Sequence, residues 1–457
     1  MKRIIVIFCV MLTCRFVEAQ VKHIVLVSID GFRPAMYLDK SWPTPNLQIL
    51  MKQGTYADHN LSVFPAYTHP SHAAMTTGAM PARSKVTYNQ PVNDRSGNWN
   101  WYYNEIKAPT IWEAVTKQGM TTAAVMWPNT VDGPITWNVS EIWDKEHPSD
   151  RATVVRRHAK PVGIYEELEQ NATGKLDSTS QNDELLTLDE NTGRMAAYIF
   201  KKYKPNFMAV HFACVDGAEH EFGLDADSVR LAVAANDRAI GDLLQAIQQS
   251  GLKESTTILI TGDHGFSDYH QAMRPNRLIK NVPAQFVAAG GSCFLYRYGN
   301  TKKADEASII KMVTDSLNKL PKETRSLFRI VDRNELDRMG ADSAALMALA
   351  ATPGTVFSGS TSAGKTVNYG PGTLIQQNKY DGLIVSAFGG HHGYDPKIPE
   401  MWTGFIAVGA GISKGSHIPE MRVVDIAPLI AKLLGITFNT PDGHFTTGIL
   451  TTGNDAK

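Results

Sequence analysis

Three aspartates each close an apolar run of the chain: Asp30 in "SID", Asp216 in "CVD" and Asp263 in "TGD". Histidines follow closely, as His220 four residues after Asp216, His264 beside Asp263, and the pair His391–His392 in "FGGHHGYD". Carboxylates mixed with imidazoles suit zinc or another divalent transition metal, whereas calcium and magnesium prefer shells made only of oxygen. Asp216 and His220 can face one point from a loop or a first helical turn. Asp263 and His264 are adjacent, so both reach one ion only from a loop, and "TGDHGF" supplies the flanking glycines. Two metals ~3.5–4 Å apart form a clamp for in-line displacement at phosphorus, one on the attacking oxygen and one on the leaving oxygen. A hydroxyl nucleophile would complete that set, because a nearby metal makes it an alkoxide at neutral pH. Thr68, in the turn "PAYTHPSH" before the helical "AAMTTG", is the candidate. At a helix start its hydroxyl would share the site with backbone N–H groups and a dipole that favour phosphate.

Each piece also has a plain structural explanation. A strand-end aspartate often caps the next helix, "DHG" makes a turn, and Thr68 itself suits a helix N-cap. Thr76 and Thr77, further along the same stretch, are accounted for by packing. Four such pieces at strand ends together favour the two-metal interpretation.

The elements that must carry these residues alternate. Short apolar runs at "HIVLVSID", "TAAVMW", "FMAVHFACVD", "TTILITGD", "GLIVSAF" and "TGFIAVG" read as strands buried on both faces. Helical patterns lie between them, among them "TIWEAVTKQG" and "SVRLAVAANDRAIGDLLQAIQQSG". This alternation predicts an α/β fold with a doubly wound, mostly parallel sheet sandwiched by helices. Such sheets bind ligands at the carboxyl ends of their strands, where the aspartates stand. Two polar, irregular stretches, from about Asn129 to Glu184 and from about Ser267 to Tyr380, read as insertions in one catalytic domain spanning residues 20–457. The second contains its own β-like piece, "CFLYRYG", and a Gly/Ser/Thr-rich run, "FSGSTSAGKTVNYGPG", and suggests a small subdomain over the site.

Of the 457 residues 43% are hydrophobic and 20% charged, with 45 Lys+Arg against 45 Asp+Glu. A balanced charge gives no case for bulk binding to nucleic acid or to an anionic membrane. An anionic substrate must therefore be held by local features. "MKRIIVIFCVMLTCRFVEAQ" has the basic start, short apolar run and small-residue cleavage site of a secretory signal ending at Ala19. The run is too short for a transmembrane anchor, and no later stretch is long and apolar enough to span a bilayer. The expected location is secreted or periplasmic, with lipid attachment through Cys14 as a lesser alternative. Cys214 and Cys293, the two cysteines of the mature chain, make no disulfide framework. "NLS", "NVS" and "NAT" match the glycosylation sequon.

Taken together, "VSIDGFRPAMYL", "VFPAYTHPSHAAMTTGAMP", "WPN", "VDGAEHEFG", "TGDHGF" and "HGYDP…PEM…FIAVGAGISKG" resemble the nucleotide pyrophosphatase/phosphodiesterase family of the alkaline phosphatase superfamily, from His23 to Ile436 and in the same order. The resemblance implies an alkaline-phosphatase-like core and a site with two Zn2+. It implies that Thr68 is a nucleophile transiently phosphorylated or nucleotidylated. By the same resemblance Asp30, Thr68, Asp263 and His264 bind the zinc that activates it. Asp216, His220 and His392 match the ligands of the second zinc, which stabilises the leaving group and then activates water; His392 rather than His391 is implied because it directly precedes Gly393. Asn89 matches the amide that holds a phosphate oxygen, although the chain has Ser84-Lys85 where the family usually has His-Gly. His69 stands where members acting on nucleotides carry a base-stacking aromatic residue. "AAVMWPN" lacks the Lys-x-Arg pair of monoesterase relatives, which favours diesters. The resemblance therefore implies a small-molecule phosphodiester or nucleotide substrate, with phosphomonoesterase activity on the same site as the alternative. A secreted binding protein that has lost the chemistry is the non-enzymatic alternative.

Overall fold

The run His23–Ile29 is buried at every position, as a strand covered on both faces requires. The computed structural model describes residues 21–451 except 93–97, 145, 147–148, 183–185, 299–304, 362–377 and 380–381. The secretory signal therefore lies outside the described residues, as does most of the Gly/Ser/Thr-rich run. Six strands precede the second insertion: β1 (His23–Ile29), β2 (Thr55–Leu61), β3 (Thr122–Val125), β4 (Trp137–Val139), β5 (Phe207–Phe212) and β6 (Thr256–Gly262). Within it or just after it come β7 (Ser267–Met273), β8 (Ala284–Ala289), β9 (Ser292–Arg297), β10 (Phe328–Val331), β11 (Met347–Ala351), β12 (Gly354–Phe357), β13 (Asn378–Lys379) and β14 (Ile384–His391). β15 (Phe405–Gly409) and β16 (Ser416–Arg422) follow.

The large sheet has eight strands in the order β16-β2-β15-β6-β1-β5-β3-β4. All neighbours in it pair in parallel except β15, which is antiparallel to both β6 and β2. Alternation along β1 feeds two cores. Val25, Val27 and Ile29 pack on one face with the helices Thr187–Tyr203 and Asp227–Gln249, while Ile24 and Leu26 pack on the other with the helix Ile426–Leu434. The doubly wound α/β expectation is met in this sheet.

Two expectations are corrected in detail. The first insertion is not merely beside the sheet, because β4 extends the sheet at its edge. The run "GLIVSAF" does not join the large sheet; β14 pairs with β7 and β13 in a separate four-stranded sheet. A further four-stranded sheet, β10-β11-β9-β8, contains "CFLYRYG". Apolar runs of this length do not reveal which of several sheets they enter. Cys214 and Cys293 are both free and buried. No helix among the described residues is long and apolar enough to cross a membrane.

Candidate active site

β6, β1 and β5 are consecutive in the large sheet, and their carboxyl ends lie level: Ile29 is in register with both Gly262 and Phe212. The next residues are Asp30 and Asp263, so two carboxylates emerge from adjacent strands, ~4.8 Å apart in the sheet. β5 ends at Phe212 and leads into the helix Cys214–Phe222. Asp216 in its first turn and His220 one turn on therefore face the same side, with His220 Nε2 3.5 Å from Asp216 Oδ2. Thr68 opens the helix Thr68–Thr77, with Tyr67 at the N-cap position. It is thus not the cap, and its Oγ1 points across the site to within 3.5 Å of His264 Nε2.

His264 Nε2 is the centre of the first set. It lies 3.2 Å from Asp30 Oδ1, 3.2 Å from Asp263 Oδ2 and 4.0 Å from Asp216 Oδ1. The second set converges on Asp216, whose Oδ1 is 3.6 Å from His392 Nε2. The two sets touch, since the His264 and His392 rings stack with centroids 3.7 Å apart. Three candidate clusters among the described residues have ligand atoms within 4.8 Å of one another: Asp30–Asp263–His264, Asp216–His264–His392 and His220–His391–His392.

The ring tautomers are set by backbone. Nδ1 of His264 lies 3.2 Å from the Gly265 carbonyl, Nδ1 of His220 3.0 Å from that of Gly390, and Nδ1 of His392 2.9 Å from that of Ala66. A carbonyl only accepts, so each Nδ1 carries the proton and each Nε2 presents a lone pair. His391 is the opposite case: its Nδ1 accepts from the His392 backbone N–H at 2.9 Å, which leaves the proton on Nε2.

These lone pairs face carboxylate oxygens. Asp30 Oδ1 and Asp263 Oδ2 are buried without a hydrogen-bond partner among the described residues. Burial, then the charges of Asp263 and Asp216, push the Asp30 carboxyl well above its ordinary range, and burial likewise raises Asp263. Burial pushes His264 and His392 well below the ordinary imidazole range, and neighbouring histidines add to it. Without metal the carboxyls retain protons while the imidazoles stay neutral, whereas a divalent cation replaces those protons and satisfies both the lone pairs and the carboxylate oxygens. The donor set fits zinc.

The family model for type I phosphodiesterase / nucleotide pyrophosphatase matches residues 24–395. The chain belongs to that family. It is 23% identical to human ectonucleotide pyrophosphatase/phosphodiesterase family member 5, covering 93% of this chain and 76% of that one. To human bis(5'-adenosyl)-triphosphatase ENPP4 it is 24% identical, over 92% of this chain and 80% of that one. The solved structure of human ectonucleotide pyrophosphatase/phosphodiesterase 5 superposes with a TM-score of 0.65 at 19% identity, covering 92% of this chain and 97% of that one. An inactive variant of the murine protein in complex with AMP gives a TM-score of 0.62 at 18% identity, over 93% and 97% of the two chains. The fold is that of these enzymes, and the chain is a hydrolase of the type I phosphodiesterase/nucleotide pyrophosphatase family.

Within that family framework, the structure brings Asp30, Thr68, Asp216, His220, Asp263, His264 and His392 together. Asn89 also reaches the helix start: its Oδ1 accepts from the His69 backbone N–H at 3.0 Å, so the amide nitrogen is the group left to donate. His69 departs from expectation. Its ring is fully buried, edge-on to Trp99 and Trp101, with Nδ1 3.1 Å from the Asn100 carbonyl. A ring enclosed in this way offers no face to a base, so the stacking role is withdrawn.

Three residues at the site were not singled out from sequence. His211 Nδ1 donates to the Met126 carbonyl at 3.1 Å, so its Nε2 presents a lone pair 3.2 Å from Asp30 Oδ2 and accepts from the Asp30 carboxyl when that is protonated. Buried Glu219 accepts from Arg33 Nε at 2.8 Å, and Arg33 also donates to the Leu224 carbonyl, tying the turn after β1 to the helix that bears Asp216. The signal for His211 was a lone polar residue inside the apolar run "FMAVHFACVD".

A pH effect follows in metal-free protein. Burial outweighs Arg33 and pushes Glu219 up to about 8, from 4.5 when unfolded. The folded chain then holds more protons than the unfolded one through that window, so stability falls as pH rises. The elevated Asp30 and Asp263 act in the same direction. Unfolded histidines are half protonated at about pH 6.5 and oppose this effect through the buried, neutral histidines below about pH 7.5, adding little above it. Thermal melts of chelator-treated protein should therefore lose stability between about pH 7.5 and about pH 8.5, by about 1 kcal/mol for each proton retained across that range. Metal-loaded protein should give a flatter profile. A chelated protein whose stability rises from about pH 7.5 to about pH 8.5 would contradict this charge balance.

Proposed function

We propose that the chain is a two-zinc phosphodiesterase or nucleotide pyrophosphatase that acts through a covalent intermediate on Thr68 and works outside the cytoplasm. One observation carries the proposal: a helix-start hydroxyl lies 3.5 Å from an imidazole lone pair surrounded by two buried carboxylates and the half-buried one of Asp216. Asp30, Thr68, Asp263 and His264 would hold one zinc, and Asp216, His220 and His392 the other. Zinc bound there lowers the pKa of the attacking hydroxyl and offsets charge on the leaving oxygen.

The chain's own groups do the rest. Thr68 Oγ1 forms a bond to phosphorus in line with the P–O bond that breaks. Its proton passes to solvent, and the departing oxygen takes one back from water. Water then attacks the phosphothreonine ester, which returns Thr68 and releases the monoester. Asn89 is placed to donate to a phosphate oxygen, and the dipole of the Thr68–Thr77 helix favours the anion. Arg33 and Glu219 hold the Cys214–Phe222 helix in register with the turn after β1.

The segment "AAVMWPN" supplies no lysine or arginine to clamp a dianion, which supports diesters over monoesters. Nucleotides are candidate substrates through the relatives' activities, and the leader "MKRIIVIFCVMLTCRFVEAQ" supports export. The test compares kcat/KM of purified protein on bis(p-nitrophenyl) phosphate and p-nitrophenyl phosphate. The diester should be strongly preferred, and a preference for the monoester would replace this proposal with a phosphomonoesterase.

A further inference from the structure

Two contacts dock the neighbourhood of the helix Arg333–Arg338, in the second insertion, on the rest of the chain. The Ala82 N–H donates to the Gly340 carbonyl at 2.9 Å, and Arg329 pairs with Asp395. Both adjoin a cavity of about 300 Å³, since Arg338 and Met339 precede Gly340 and Pro396 follows Asp395 in its lining. Its other walls include Leu61–Phe64, on the way from β2 to Thr68, and Arg422–Val424 at the end of β16. None of the metal-ligating candidates lines it, so it is separate from the active site. A cavity of this size at a seam between structural units has the dimensions and the setting of a small-molecule site.

The lining divides by chemistry. Leu61, Phe64, Met80, Met339 and Val424 make up its apolar part. The charged part is Arg338, Lys397 and Arg422 against the single carboxylate of Glu335. Glu335 is engaged by Arg329 at 2.8 Å, and Arg422 by Asp425 at 2.8 Å, so both are already balanced. Arg338 and Lys397 are exposed, and their side chains have no hydrogen-bond or ion-pair partner among the described residues. The Ser62 hydroxyl is turned to Ser71 Oγ at 2.9 Å and to the Asp263 carbonyl. What the cavity offers a ligand is therefore two uncommitted positive charges beside apolar surface. A negative head joined to a hydrocarbon body uses both, whereas a cationic amphiphile meets repulsion and a small inorganic anion leaves the apolar part wet.

We propose that this seam cavity is a second binding site, distinct from the catalytic one, for an apolar anion: a hydrocarbon body carrying one carboxylate-type head. The body packs on Met80 and Met339, and the head pairs with Arg338 and Lys397. The ligand thus bridges the second insertion and the segment that leads to Thr68.

The experiment uses metal-loaded protein and three eight-carbon probes: octanoate, octan-1-ol and octyltrimethylammonium, with dissociation constants taken from ligand-observed NMR titrations. Octanoate should bind about tenfold more tightly than octanol, the combined worth of two solvent-exposed ion pairs, and the cation should bind most weakly. Arg338→Gln and Lys397→Gln should each weaken octanoate by about threefold and leave octanol unchanged. Raising the salt concentration should weaken octanoate alone. Equal affinities for octanoate and octanol, or no saturable octanoate binding, would overturn the site. Octanoate binding that neither substitution moves would overturn it as well, and competition with bis(p-nitrophenyl) phosphate in that case would assign the carboxylate to the active-site metals.

Discussion

Thr68→Ala is expected to lower kcat/KM on a diester by about 10⁴-fold or more while leaving the fold and the metal content intact. The size of the effect follows from the role. Thr68 Oγ1 stands at the helix start 3.5 Å from His264 Nε2, and water attacking directly would lack the position that the backbone gives Oγ1. The fold should tolerate the change because Thr68 is not the cap of its helix and its side chain makes no cap hydrogen bond there. Asp30, Asp263 and His264 remain to hold the first metal. Kinetics paired with metal analysis of the same preparation decide the matter. Retained turnover would remove Thr68 from the chemistry, and lost metal would make it chiefly a ligand.

The second large effect separates two adjacent histidines. His392→Ala should weaken the second metal by about 100-fold or more and depress turnover with it, while His391→Ala should leave metal content close to the starting value. Loss of even an outer partner of a metal ligand costs about 10–100-fold in affinity, and His392 is proposed as a ligand itself. Its Nε2 lone pair faces Asp216 at 3.6 Å, whereas the His391 ring accepts from the His392 backbone N–H and keeps its proton on Nε2. Zinc per chain after dialysis against a graded series of chelator concentrations is the readout. Metal loss in the His391 variant rather than the His392 variant would reverse the assignment.

Much of this site could be anticipated because its residues are local signals. Asp30 and Asp263 directly follow buried apolar strands, and the i,i+4 spacing of Asp216 and His220 survives as one helical turn. What escaped detection depends on long-range packing. His211 sits inside a strand and looks like an exception to a hydrophobic run until β5 is laid beside β1, which sets it against Asp30. Arg33 and Glu219 are 186 residues apart and meet only when the turn after β1 packs on the Cys214–Phe222 helix. His69 failed in the other direction. Its position beside the nucleophile suggested access to substrate, but Trp99 and Trp101 return from a later loop to enclose it. The same limit applied to strands: "TYADHNL" is too polar to look like an inner strand, yet β2 lies between β16 and β15. Pairing on both edges, rather than composition, makes it one.

The covalent route through Thr68 has a stereochemical signature. Hydrolysis of a diester made chiral at phosphorus with sulfur, carried out in ¹⁸O-labelled water, reports the course of the reaction through the ³¹P spectrum of the monoester product. Two in-line displacements, first by Thr68 and then by water, each invert phosphorus, and together they predict net retention. Net inversion would mean a single attack by water and would contradict the covalent intermediate.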